Sequence, residues 1–120
     1  MSSSSSAQPG AWTASHCGLI GFEDGRYVRI AGTANWDAQP IPGFGAPVGP
    51  PLGQIRIVFR ERLEVPYVVL VTPSRTTGAP HLGANYGAVD ETGFTVHLFD
   101  AIMQRTLQNG GFSFAVLVAP

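Results

Sequence analysis

Gly111-Phe112-Ser113-Phe114-Ala115-Val116-Leu117-Val118-Ala119-Pro120 ends the chain, and its reading decides the fold. The two-residue alternation of extended backbone puts Phe112, Phe114, Val116 and Val118 on one side. A strand this apolar at a chain end is expected to lie between two neighbours, because a free edge frays or recruits other chains. Working backwards, Phe94-Thr95-Val96-His97-Leu98-Phe99 alternates too, with Phe94, Val96 and Leu98 opposite Thr95, His97 and Phe99. Asp90-Glu91-Thr92-Gly93 before it reads as a turn, its glycine tolerating positive φ.

Residues 81–89 read as extended, with Gly83 and Gly87 expected at bulges or close backbone approaches. Tyr67-Val68-Val69-Leu70-Val71-Thr72 is apolar on both faces and is expected centrally or at a subunit interface. Pro66 stands at its entrance, a permitted site for a residue without an N–H. Gln54-Ile55-Arg56-Ile57-Val58-Phe59 alternates, with Ile55, Ile57 and Phe59 on one face. Polar residues 73–80 and a broad connection over 100–111 separate the strands. Repeated short strands with turn signals predict an all-β fold, a small antiparallel β-sandwich of about six strands over residues 51–120.

Residues 1–50 read as an extended, Pro/Gly-rich N-terminal arm, partly extended or disordered. Its Ser-rich lead, about residues 1–15, is a tether at most. A short hairpin is possible where Gly18-Leu19-Ile20-Gly21-Phe22 and Arg26-Tyr27-Val28-Arg29-Ile30 flank Glu23-Asp24-Gly25. Residues 39–51 hold five prolines in thirteen positions, which excludes a central strand and reads as a linker. On it, Phe44 and Val48 either merely ride along or insert into a neighbouring subunit.

Composition narrows the function classes. Only 12 % of residues are charged, against about 25 % in a typical soluble domain, so much surface is neutral or covered by other chains. A sandwich of this size has a marginal core, and the single Cys17 rules out an intrachain disulfide. The separated His16, His81 and His97 offer no metal site, which leaves self-association as the remedy. A net charge of −1 without a basic cluster argues against nucleic acid. Apolar runs are strand-sized, so no membrane insertion is expected, and the start lacks the charge and apolar core of a secretory signal peptide.

The acid pairs Glu23-Asp24 and Asp90-Glu91 fall in turns, where carboxylates solvate a loop, and no catalytic residue is expected. Cys17 and His16 are neighbours on one strand and point apart, which excludes a nucleophile–base pair. His97 reads as a core or interface histidine. Ser74, Arg75, His81, Asn85 and Tyr86 form the best recognition set, since Arg and Asn direct hydrogen bonds while His and Tyr stack on apolar sugar faces. The competing reading of that set is a plain polar loop. Tyr67, Val69, His97 and Phe99, with Phe44 and Val48, are the expected interface residues.

One order of features remains: a strand ending in Phe59, then Pro66-Tyr67-Val68-Val69-Leu70-Val71, then Thr92-Gly93-Phe94-Thr95-Val96, then Phe112-Ser113-Phe114-Ala115-Val116. It resembles the H-type lectin domain and the similar C-terminal knobs of bacteriophage tail fibres over residues 53–119. The resemblance implies a six-stranded antiparallel sandwich that assembles as a homotrimer and is not an enzyme. Phe114 stands where those lectins commonly carry Trp. The implied function is a virion structural protein, a tail or capsid-decoration component made in the host cytoplasm, anchored to other virion proteins by its arm. The alternative is a carbohydrate-binding lectin or receptor-binding fibre tip that recognises cell-surface glycans. Neither needs a cofactor.

Overall fold

The computed structural model describes residues 11–74, 81–102 and 106–120, except for the side chain of Phe44. Apart from a single 3₁₀ turn at Gly43–Gly45, the elements are all strands: β1 (Thr13–Glu23), β2 (Arg26–Gly32), β3 (Trp36–Pro42), β4 (Pro51–Phe59), β5 (Val68–Pro73), β6 (Leu82–Asp90), β7 (Gly93–Asp100) and β8 (Phe112–Val118). They form two four-stranded antiparallel sheets, ordered β2-β1-β8-β5 and β3-β4-β7-β6.

The alternation dictates how the sheets meet. Ile55, Ile57 and Phe59 of β4 and Phe94, Val96 and Leu98 of β7 are buried against Phe112, Phe114 and Val116 of β8, Val69 of β5 and Ile20 of β1. Phe114 stands edge-on to Trp36 and to Phe94, with ring centroids 4.9 and 5.5 Å apart, the geometry aromatic quadrupoles favour. The sheets thus pack face to face around one shared core, as in a β-sandwich. The chain's last strand, β8, lies between β1 and β5, with Cys17, Ala115 and Leu70 in register across all three.

The N-terminal half departs from expectation. Residues 13–42, assigned to an arm, form three strands, so the described chain has eight where about six were expected. The hairpin at Glu23-Asp24-Gly25 is real but longer, and Asp24 and Gly25 both take positive φ, 51° and 77°, as a tight hairpin turn requires. β1 occupies an inner position because Gly18 leaves the space that Trp36 fills. A Cβ on Gly18 would fall 2.3 Å from the indole and 2.6 Å from Phe114. Trp36 is fully buried, and its Nε1–H donates to Cys17 O at 2.8 Å.

The proline-rich segment also joins a sheet, in its edge strand and at the first residue of an inner one. Pro40 and Pro42 lie in β3, which pairs with β4 alone, and Pro51 opens β4. An edge strand turns half its donors to solvent, so a missing N–H costs little there. Both β6 glycines have visible reasons. The β6–β7 register shifts between Gly87 and Asp90, and a Cβ on Gly83 would fall 2.5 Å from the Phe99 ring lying across it.

Candidate functional site

The predicted recognition set is only partly gathered. Asn85 and Tyr86 border an open groove of about 490 Å³ between β5 and β6, whose other walls are Val69, Leu70, Val71, Thr72 and Ala84. As neighbours on one strand they diverge. Tyr86 pairs with Val96 and meets Phe94 edge-on at 6.4 Å, whereas Asn85 pairs with His97 on the outer face. Ser74 and His81 do not line the groove. The Ser74 amide donates to Gly111 O at 2.9 Å, and His81 O accepts from the Ala101 amide at 2.6 Å. Arg75 and the Phe44 side chain lie outside the described residues.

Two of the expected interface residues belong to the chain's own core. Tyr67 and Val69 are buried at 7 % and 4 % exposure. The Tyr67 hydroxyl reaches Asp90 O at 2.8 Å and Gly93 O at 2.9 Å. A strand apolar on both faces does not say which face turns inward, and the outward residues of β5 are Val68 and Leu70. His97 and Phe99 are half-buried on the outer face of the second sheet, and Val48 is 79 % exposed in the β3–β4 connection.

A second concavity, about 610 Å³, opens between His16, Thr33, Asn35, Arg60, Arg62 and Leu63. His16 sits in its floor with its ring 4.4 Å from Phe59 and Nδ1 2.7 Å from Ser15 Oγ. Burial holds the imidazole below its ordinary pKa. On the rim Arg60 donates to both Asp37 carboxylate oxygens, at 3.3 and 3.1 Å, and Arg62 to Glu91 at 2.7 Å. The Arg60 hydrogen bonds keep Asp37 below the usual carboxylate range. Exposed pairs of this kind add little stability; they fix where the guanidinium groups stand.

The two outer faces differ in chemistry. On the second sheet, Gln54, His97 and Asn85 stand in one register row, and Gln39, Arg56, Thr95 and Gly87 in the next. Gln54 Nε2 and His97 Nδ1 are 3.2 Å apart. Arg56 donates to Ala88 O at 2.6 Å, Asp90 Oδ1 at 2.9 Å and Thr92 Oγ1 at 3.1 Å. Thr92 donates twice to the same Asp90 carboxylate, holding it below its ordinary pKa. Burial, then the nearby negative charge of Asp90, pushes the Tyr67 phenol up to about 12.

On the first sheet the rows are Leu19, Ser113 and Thr72; Cys17, Ala115 and Leu70; and Ala14, Leu117 and Val68. None of these nine side chains carries a charge. Ile30 of β2, 55 % exposed, continues the surface by lying over Gly21, where a Cβ would fall 2.8 Å from its Cδ1. Sequence reasoning missed this face because β1 was assigned to an arm. The Asp-Gly turn did mark the β1–β2 hairpin, but nothing in the sequence joined that hairpin to β8. His16, Trp36 and Arg56 were missed for want of any spacing motif.

No family model matches the chain, and neither a curated protein nor a solved structure is significantly similar to it.

Proposed function

We propose that the protein is a non-enzymatic, homo-oligomeric attachment module with an H-type lectin-like sandwich: a structural component of a bacteriophage virion, trimeric, at the tail or as a capsid decoration. The observation that carries this reading is the contrast between the outer faces. A sheet face without charge loses little by leaving water, whereas ionic groups are costly to desolvate. The rows of β1, β8 and β5 therefore suit contact between subunits, the pair of Glu23 and Arg26 standing apart at the hairpin end of that face, and the second sheet, with its anchored Arg56 and its amide and imidazole row, suits display. The low charged content, 12 %, fits a chain that covers part of its surface on assembly.

Carbohydrate recognition is the second reading, favoured by one observation on the display face. Gln54, Asn85 and His97 align as hydrogen-bonding groups along one row, with the glycine-flattened Phe99 ring nearby. Directed polar groups beside an aromatic surface match the hydroxyls and the apolar face of a pyranose. Sedimentation equilibrium tests the assembly: a mass near three chains of 12.7 kDa is expected, and a monodisperse monomer removes the reading. A glycan array decides the second: saturable binding lost in Asn85→Ala supports it, and silence leaves the structural role alone.

A further inference from the structure

We infer that the outer face of the first sheet is where a second copy of this chain docks, with Leu70 at the outer strand and Cys17 well inside the contact. The inference rests on the homo-oligomeric reading and names the surface that reading requires. Three features identify the occupant as the chain itself.

The first feature is charge. The rows through Cys17, Ala115 and Leu70 and through Leu117 and Val68 hold no ionic group. A partner of strong charge finds nothing to pair with there, while an identical uncharged face is complementary to it at no electrostatic cost.

Area is the second. Four strands spaced ~4.8 Å apart and about six residues long at ~3.3 Å rise present roughly 400 Å² in projection. Two copies covering it from both sides bury about 800 Å², the size of a weak, concentration-dependent contact. One copy alone leaves bare a patch the size of the largest that a typical monomer exposes, which in monomers is often functional.

Relief is the third. In the central row the inner strands carry only Cys17 and Ala115, with Leu19 and Leu117 one row to either side, so the face is low at its middle row. Leu70 and Ile30, 53 % and 55 % exposed, rise on the two outer strands. A low centre between raised apolar flanks lets the flank of one copy settle onto the middle of another, as sheets do when they pack about 10 Å apart.

Cys17 is exposed and unpaired in the single chain, so its thiol reports directly on coverage. The experiment uses the full chain, its Leu70→Glu variant, sedimentation equilibrium and the rate of reaction with N-ethylmaleimide. Expected are an oligomer whose thiol reacts at least tenfold more slowly than that of the variant, and a variant of monomer mass. Circular dichroism with a cooperative thermal transition verifies that the variant folds. Should the variant not fold, dilution of the wild-type chain takes its place, and labelling must accelerate as the mass falls. An oligomer whose Cys17 labels as fast as that of the monomer overturns the inference and leaves the homo-oligomeric reading standing. A wild-type chain that is monomeric at every concentration overturns both.

Discussion

At the scale of single residues, two positions decide how the halves of the fold fit, one through the side chain it lacks and the other through its hydrogen bonds. Gly18 faces inward, and a methyl there would fall within 2.8 Å of three aromatic carbons of Trp36 and Phe114. Neither ring can retreat, since Trp36 is fully buried and tied by its Nε1–H to Cys17 O. Gly18→Ala is therefore expected to destabilise the protein by ~1–3 kcal/mol, the usual cost of overpacking a filled core. Urea unfolding checks it, and an unchanged midpoint would contradict the packing. Tyr67 acts by hydrogen bonding. Its phenol serves the carbonyls of both Asp90 and Gly93, at the turn that Arg56 and Thr92 also brace. Tyr67→Phe keeps the ring but removes the only hydroxyl. The expected loss is about 1–3 kcal/mol, the range for leaving buried partners unsatisfied, with the denaturant slope unchanged. A variant as stable as the parent would mean that water replaces the phenol.

At the scale of elements, the strands from Gln54 onward were legible because their apolar residues alternate without interruption, so period alone placed Ile55, Ile57, Phe94, Val96, Phe112 and Phe114 inside. β1 was legible only as one arm of a possible hairpin over residues 18–22, not as an inner strand of the sandwich, for a physical reason. Its inward positions are His16, Gly18 and Ile20, a polar ring and an empty site before the first aliphatic group. Only the tertiary partner Trp36, eighteen residues on from Gly18, turns that gap into a fit. β3 escaped notice because two prolines mark a linker as readily as a sheet rim. The candidate site divides likewise. Asn85 and Tyr86 were found by residue type, but their divergence on one strand was implicit in the alternation and outweighs their shared polarity. These differences have a direct consequence for truncation. Removing residues 1–50 strips β1, β2 and β3, which unpairs one edge of β8 and one of β4 and bares Phe114. The truncated chain is expected to lose its cooperative thermal transition, measured by near-ultraviolet circular dichroism. A sharp transition in residues 51–120 would restore the view that the N-terminal half is an arm.

At the scale of the whole molecule, stability should form a plateau in pH bounded by rings on opposite sides of the charge scale. On the acid side the relevant group is His16, whose folded pKa lies below 6.5 because burial disfavours the imidazolium. Below that value the unfolded chain takes up a proton that the folded chain refuses, so stability is complete above pH 6.5 and falls as pH drops through it. Asp37 and Asp90, held below 3.8 by donated hydrogen bonds, extend the decline only at lower pH, and their exposure keeps their share small. On the alkaline side burial pushes Tyr27 and Tyr67 up to about 12 from 10.0. Between those values the unfolded chain releases phenolic protons that the folded chain retains, so stability is complete below pH 10 and is lost as pH rises toward 12. The urea midpoint measured from pH 4 to 11.5 is therefore expected to be flat between about 6.5 and 10 and to fall on either side. His16→Gln should flatten the limb between pH 6.5 and 4.5 without touching the alkaline one. Tyr27→Phe should make the alkaline limb shallower, leaving the share of Tyr67, without touching the acid one, since Tyr27 is pinned by the Asn109 side chain at 2.9 Å and has no part in the acid titration. An acid limb that persists unchanged in His16→Gln would place its origin in the carboxylates, and the floor of the groove beside Arg60 and Arg62 would then play no part in the acid response.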